Sequence, residues 1–75
     1  MIAITVNGER RELSRRMKLI RFLRVNGISP RMVAVAVNGE VLHRHDWPDV
    51  TLRDGDVLEI VRMVGGGALE MGGWG

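Results

Sequence analysis

Two Asn-Gly dipeptides constrain this chain more than any other feature: Asn7-Gly8 and Asn38-Gly39 each follow a run in which larger and smaller side chains alternate. Asn-Gly tolerates the left-handed backbone of a two-residue hairpin, so each dipeptide predicts two antiparallel strands. Before the first, Ile2, Ile4 and Val6 alternate with Ala3 and Thr5, and residues 10–13 form the returning strand. Before the second, Val33, Val35 and Val37 alternate with alanines, and residues 40–42 return. The small alanine face is expected to receive a closely packed helix.

Between the hairpins the period changes. From about Met17, Leu19, Ile20 and Leu23 lie at helical spacing, Phe22 widens the stripe, and Lys18, Arg21 and Arg24 take the other face. Ser14 is a candidate N-cap, although no Glu or Gln stands three residues on, and Asn26-Gly27 closes the helix. Residues 43–50 contain Pro48 and read as a loop with one helical turn near Trp47. Asp54-Gly55-Asp56 is a tight turn before the longest strand candidate, residues 57–64. Val57, Glu59, Val61 and Met63 fall on one face of that strand, and Leu58, Ile60, Arg62 and Val64 on the other. Leu23 and Val61 are expected in the core. Six of the ten glycines crowd the last eleven residues, so no element is expected after Gly65.

The order is strand, strand, helix, strand, short strand, long strand, tail. With the last strand parallel to the first, between the two hairpins, one helix covers one face of a mixed four- to five-stranded sheet. That is an α+β, β-grasp (ubiquitin-like) domain over residues 1–64, followed by a flexible glycine-rich tail over 65–75. At 75 residues there is no room for a second domain. Cys is absent, which excludes disulfides, thiolate metal sites and a Cys nucleophile. No apolar run is long enough to span a bilayer, and the apolar start ends too early for a signal peptide, so a cytoplasmic protein is expected. Residues 1–39 carry eight Arg or Lys against two acids, and residues 40–75 three Arg against seven acids. An electrically two-ended molecule points to partner docking and steering.

Several residues pair a chemical reading with a plainer one. His43, His45 and Asp46 are potential metal ligands but lack a well-spaced third partner, so solvated loop residues and no metal are expected. Asp54-Gly55-Asp56 resembles part of a calcium loop, yet a turn accounts for it better. The run from Arg10 to Arg31 is a solvated basic face, because only Phe22 accompanies it and the helix pattern buries that ring; nucleic acid is not an expected partner. Trp47 is expected to cap the small core. No paired acids or histidines suit acid–base catalysis by this chain.

Val37-Asn38-Gly39-Glu40, then Arg44 and Trp47, then Leu52-Arg53-Asp54-Gly55-Asp56 leading into Val57-Leu58-Glu59-Ile60-Val61, and finally Gly65-Gly66-Gly67 resemble the ThiS/MoaD family of sulfur carriers, and most of all its ThiS branch. The resemblance covers residues 1–67. It implies a carrier rather than an enzyme, with no bound cofactor. An E1-like adenylyltransferase of the ThiF/MoeB type uses ATP to adenylate the C-terminal carboxylate of Gly67. A persulfide from a donor such as a cysteine desulfurase then displaces AMP, leaving a thiocarboxylate. The sulfur passes to thiazole synthase in thiamine biosynthesis, or to another accepting synthase for molybdopterin, tRNA thiolation or cysteine formation. Gly65 and Gly66 supply a bare, flexible backbone that threads an enzyme channel. The end of the last strand, Arg62, Met63 and Val64, is the expected partner-binding surface. A non-catalytic β-grasp binding module is the reading from another class.

The family ends at its diglycine, whereas residues 68–75 follow here. A peptide-bonded Gly67 has no carboxylate to adenylate. Either a peptidase removes the extension, or the extension is foreign to the natural protein, or the chain is inactive as written; Gly72-Gly73 is a rival processing point.

Overall fold

The computed structural model describes residues 1–64 and 68–71. Among these residues the strands are β1 (Ile2–Val6), β2 (Glu9–Leu13), β3 (Met17–Lys18), β4 (Val33–Val37), β5 (Glu40–Val41), β6 (Thr51–Leu52), β7 (Val57–Val64) and β8 (Ala68–Met71), and the one α-helix is α1 (Leu19–Val25). The main sheet runs β2-β1-β7-β4-β5, with β8 also paired to β7. β7 is parallel to β1 and antiparallel to β4, and α1 covers one face. This is the expected β-grasp, α+β arrangement.

Both Asn-Gly turns form as predicted, with Asn7 at φ 48° and Asn38 at φ 53°. Their side chains add something the dipeptide signal does not contain, because each grips β7 from an opposite edge. Asn7 Oδ1 accepts from the Ile60 amide at 2.8 Å, and Asn7 Nδ2 donates to the Ile60 carbonyl at 3.0 Å. Asn38 Oδ1 accepts from the Val57 amide at 2.9 Å, and Asn38 Nδ2 donates to Asp56 Oδ1 at 3.1 Å. Each Asn therefore extends the hydrogen-bonding ladder past the point where its own strand turns away.

The turn before β7 is built the same way. Asp54 Oδ1 accepts from the Ala3 amide at 2.8 Å, Gly55 donates to the Ala3 carbonyl at 2.8 Å, and Thr5 donates to the Asp56 carbonyl at 2.9 Å. Asp56 Oδ2 accepts from the Arg53 amide at 2.8 Å. Asp54 and Asp56 thus aim their carboxylates at backbone donors, and the turn lashes the start of β7 to β1.

The core lies between the sheet and α1. Ile4, Val6, Val33, Val35, Leu58 and Ile60 face Leu19, Phe22 and Leu23, and all are buried. The helix packs on the valine face of β4, which corrects the expectation that the alanines receive it. A sheet seals against a helix by filling the space between them, and alternating valines do so where alanines would leave gaps. Val61 shares the open face with the alanines and is half-buried, so it is not a core residue.

Helix α1 starts later than its pattern predicts, and Ser14 is not its N-cap. Met17–Lys18 pairs with Thr51–Leu52 as a two-stranded sheet, which holds the backbone extended as far as Lys18, the residue at the cap position. Leu19 then donates to the Val50 carbonyl at 3.0 Å, so one of the amides left over at the helix start is satisfied by another segment. The C-terminus follows prediction: Gly27 takes φ 72°, its amide reaches the Arg24 carbonyl at 3.0 Å, and the Ile28 amide reaches Leu23 at 2.8 Å. Those two bonds are a complete Schellman closure.

Residues Arg44–Asp49 form a 3-10 helix around the expected turn, and Trp47 is 2% exposed beneath it. Arg44 sits 4.8 Å from the Trp47 ring centroid and donates to the carbonyls of Pro30 and Val33, so this pair fastens the loop to the start of β4. The expectation of no element after Gly65 fails at Ala68–Met71, which pairs antiparallel with β7. High backbone entropy disfavours an isolated glycine-rich tail, but a strand edge supplies hydrogen-bond partners to the glycine-poor piece of it.

Candidate functional site

The C-terminal end of β7 is where the chain leaves its core. Glu59, Val61 and Met63 alternate with Leu58, Ile60 and Arg62 across the sheet, as the period of two dictates. The residues expected to form one partner-binding surface are therefore divided. Arg62 lies on the helix side, where it lines a cleft of about 490 Å³ with Asn26, Gly27, Ser29 and Met32. Met63 lies on the alanine side, half-buried. Val64 is the last residue of β7, in register with Ala68. Gly65, Gly66 and Gly67 lie outside the described residues.

The alanine side, expected from sequence to receive the helix, is instead open and was not expected as a binding surface. Ala34, Ala36, Val41 and Val61 border a shallow apolar depression of about 270 Å³, with Glu59 at its edge. Val41 stands opposite Ala36 in the β4–β5 ladder and is 74% exposed. The signal was present in the alternation of valine and alanine: small residues on one face leave that face thin, and among the described residues no helix fills it.

The loop histidines are stacked, with ring centroids 5.6 Å apart, and His45 Nε2 lies 3.4 Å from Asp46 Oδ1. Among the described residues no three acidic, His or Cys side chains are gathered as a metal site. The basic residues Arg15, Arg16, Lys18 and Arg21 line one shallow groove together with Ser14 and Met17.

A family model described as the ThiS family matches residues 4–67, which spans β1 to the third glycine after β7. The chain belongs to the ThiS family. Of characterised relatives, it is 39% identical over 64 residues to the sulfur carrier protein ThiS of Thermus thermophilus, covering 85% of this chain and 98% of that one. It is 38% identical over 65 residues to a thiazole synthase of Paramagnetospirillum magneticum, covering 87% of this chain but 20% of that protein. The chain thus spans about a fifth of that longer relative. The crystal structure of the thiamine biosynthesis protein ThiS from Geobacter metallireducens superposes with a TM-score of 0.77 at 30% identity, covering 88% of this chain and all of that one. In this ThiS-family chain, Arg44, Trp47 and the Asp54-Gly55-Asp56 turn all have structural work, anchoring the loop and β7.

Proposed function

We propose that this protein is the sulfur carrier of thiamine (thiazole) biosynthesis, acting in the cytoplasm as a protein co-substrate rather than an enzyme. The observation that carries the reading is the family match ending at Gly67, three residues beyond the last residue of a β7 that is locked into the core. The relative named thiazole synthase supports thiamine as the pathway.

The reaction needs a free carboxylate on Gly67. An E1-like adenylyltransferase joins that carboxylate to the AMP portion of ATP with loss of pyrophosphate. The acyl-adenylate is a mixed anhydride, so a persulfide sulfur attacks the carbonyl carbon and AMP leaves. The first product is an acyl disulfide. A thiol then attacks the sulfur still bonded to the persulfide carrier, forming a disulfide with it and releasing the thiocarboxylate on the carbonyl carbon of Gly67, whose sulfur the accepting synthase takes. Gly66 and Gly67 place no Cβ beside the carbonyl under attack, so the end of the chain passes through a narrow channel and leaves the approach clear. The sulfur rides on backbone carbon, a role that asks for no Cys in this chain.

The rest of the domain is a handle. The apolar depression at Ala34, Ala36, Val41 and Val61, with Met63 beside it, is a docking face that runs toward the glycines. Arg62 contributes from the other side of the strand. A peptidase removes residues 68–75 before activation. Intact mass spectrometry of the protein from its native host is expected to find a chain ending at Gly67. A full-length mass alone, under conditions demanding thiamine synthesis, overturns the reading. With a matched E1-like enzyme and ATP, AMP release is expected from a chain ending at Gly67 and not from the 75-residue chain.

A further inference from the structure

We infer that residues 68–71 are a cover in cis for the free edge of β7, keeping the glycine segment tied at both ends until the chain is cut after Gly67. The inference takes the cutting step from the carrier reading above, while the cover itself rests on backbone geometry.

β7 presents its backbone groups alternately to two edges. Toward β4, Val57 bonds Asn38 through both its amide and its carbonyl. Toward β1, the Leu58 carbonyl accepts from the Asn7 amide at 2.9 Å, and both backbone groups of Ile60 are taken by the Asn7 side chain. β1 has already turned away at Val6, so the Asn7 side chain is the last reach of the N-terminal hairpin along this edge. The next positions facing the same way are Arg62 and Val64. Without another strand their amides and carbonyls form an open edge of the kind that recruits extended segments.

β8 begins where Asn7 stops. Its register pairs Arg62 with Glu70 and Val64 with Ala68, the two positions whose backbone groups the alternation leaves exposed. The covering segment is Ala68-Leu69-Glu70-Met71, the only four-residue stretch after Val64 without glycine. The closing pair, Val64 with Ala68, directly brackets residues 65–67. In the uncut chain Val64 and Ala68, the residues flanking the glycines, are thus in one ladder, and a cut after Gly67 breaks the covalent link between β7 and the strand that covers it.

The test is amide hydrogen exchange on three proteins: the 75-residue chain, the same chain carrying Glu70→Pro, and a chain ending at Gly67. The third folds without the extension, since among the described residues every buried core residue lies between Ile4 and Ile60, and the solved ThiS is wholly spanned by 88% of this chain. Proline removes the Glu70 amide that the register aims at Arg62. Exchange at Arg62 and Val64 is expected to be at least about tenfold slower in the 75-residue chain than in the other two, with Ile60, held by Asn7, equally protected in all three. Equal exchange at Arg62 and Val64 in the three proteins overturns the cover. The carrier reading is judged separately, by AMP release from the chain ending at Gly67. AMP release with equal exchange leaves the carrier without a cover, and slow exchange with no AMP release leaves a cover on a chain that is not a carrier.

Discussion

The two faces of the central sheet come from one alternating pattern and have opposite fates. On β4, Val33 and Val35 are buried under α1, while Ala34 and Ala36 look outward over a shallow apolar depression. On β7, Leu58 and Ile60 are sealed in, while Glu59 and Val61 are not. Hydrophobic character alone does not separate the faces, since alanine and Val61 are apolar too. Volume does: the face with larger side chains fills the space beneath a helix, and the thinner face keeps an open depression.

Substitutions that shrink one face or the other sharpen this contrast. Leu23→Ala, on the helix against the valine face, is expected to cost about 2–5 kcal/mol in urea unfolding, because Leu23 is fully buried and its neighbours cannot close the cavity. Asn7→Ala removes both bonds to Ile60 and places a less tolerant residue at φ 48°, for an expected loss of about 1–3 kcal/mol by the same measurement. Val61→Ala, on the thin face, is expected to cost no more than about 1 kcal/mol, since that side chain is only half-buried and no helix packs on it among the described residues. A loss as large as that of Leu23→Ala would mean that the two faces are not energetically distinct. Val41→Glu is expected to shift stability by less than about 0.5 kcal/mol, yet to weaken binding to the adenylyltransferase in a titration, as a charge set in an apolar docking face should. Smallest of all on folding, Gly67→Ala in the chain ending at that residue is expected to leave the unfolding midpoint unchanged and to stop sulfur transfer. Unfolding by Gly67→Ala would make the glycine segment structural and defeat the carrier reading.

The strand order was legible because it follows from local signals: two Asn-Gly turns, one change of period and one long final strand leave few unknotted arrangements. What escaped were features that depend on partners remote in sequence. The late start of α1 is set by β6, which pairs Met17 with Leu52, and nothing near Ser14 announces that. The side-chain roles of Asn7 and Asn38 concern β7, whereas the dipeptide signal concerns only the turn each occupies. β8 was hidden by composition, because the glycines on either side of Ala68–Met71 mask a stretch with ordinary strand residues. Val61 was misplaced for a simpler reason: a valine on a strand is read as core unless the other face is known to be the covered one. The proposed acceptor Gly67 and its glycine neighbours, by contrast, are marked only by family resemblance, since the chemistry proposed for them leaves no pattern beyond a run of small residues.

The bond from Asn7 to Ile60 closes over 53 residues of sequence, and the strand it grips is the central strand of the main sheet. Neither hairpin can be joined to the other until β7 exists, so a ribosome has made both hairpins and α1 well before the domain can assemble. During that interval the inner faces of β1 and β4 are both bare. Contacts of such long range slow folding and lengthen exposure to aggregation. The nascent chain meets this hazard with a charged outer strand, Glu9-Arg10-Arg11-Glu12, whose four consecutive charges resist edge-to-edge pairing with other copies while β7 is awaited.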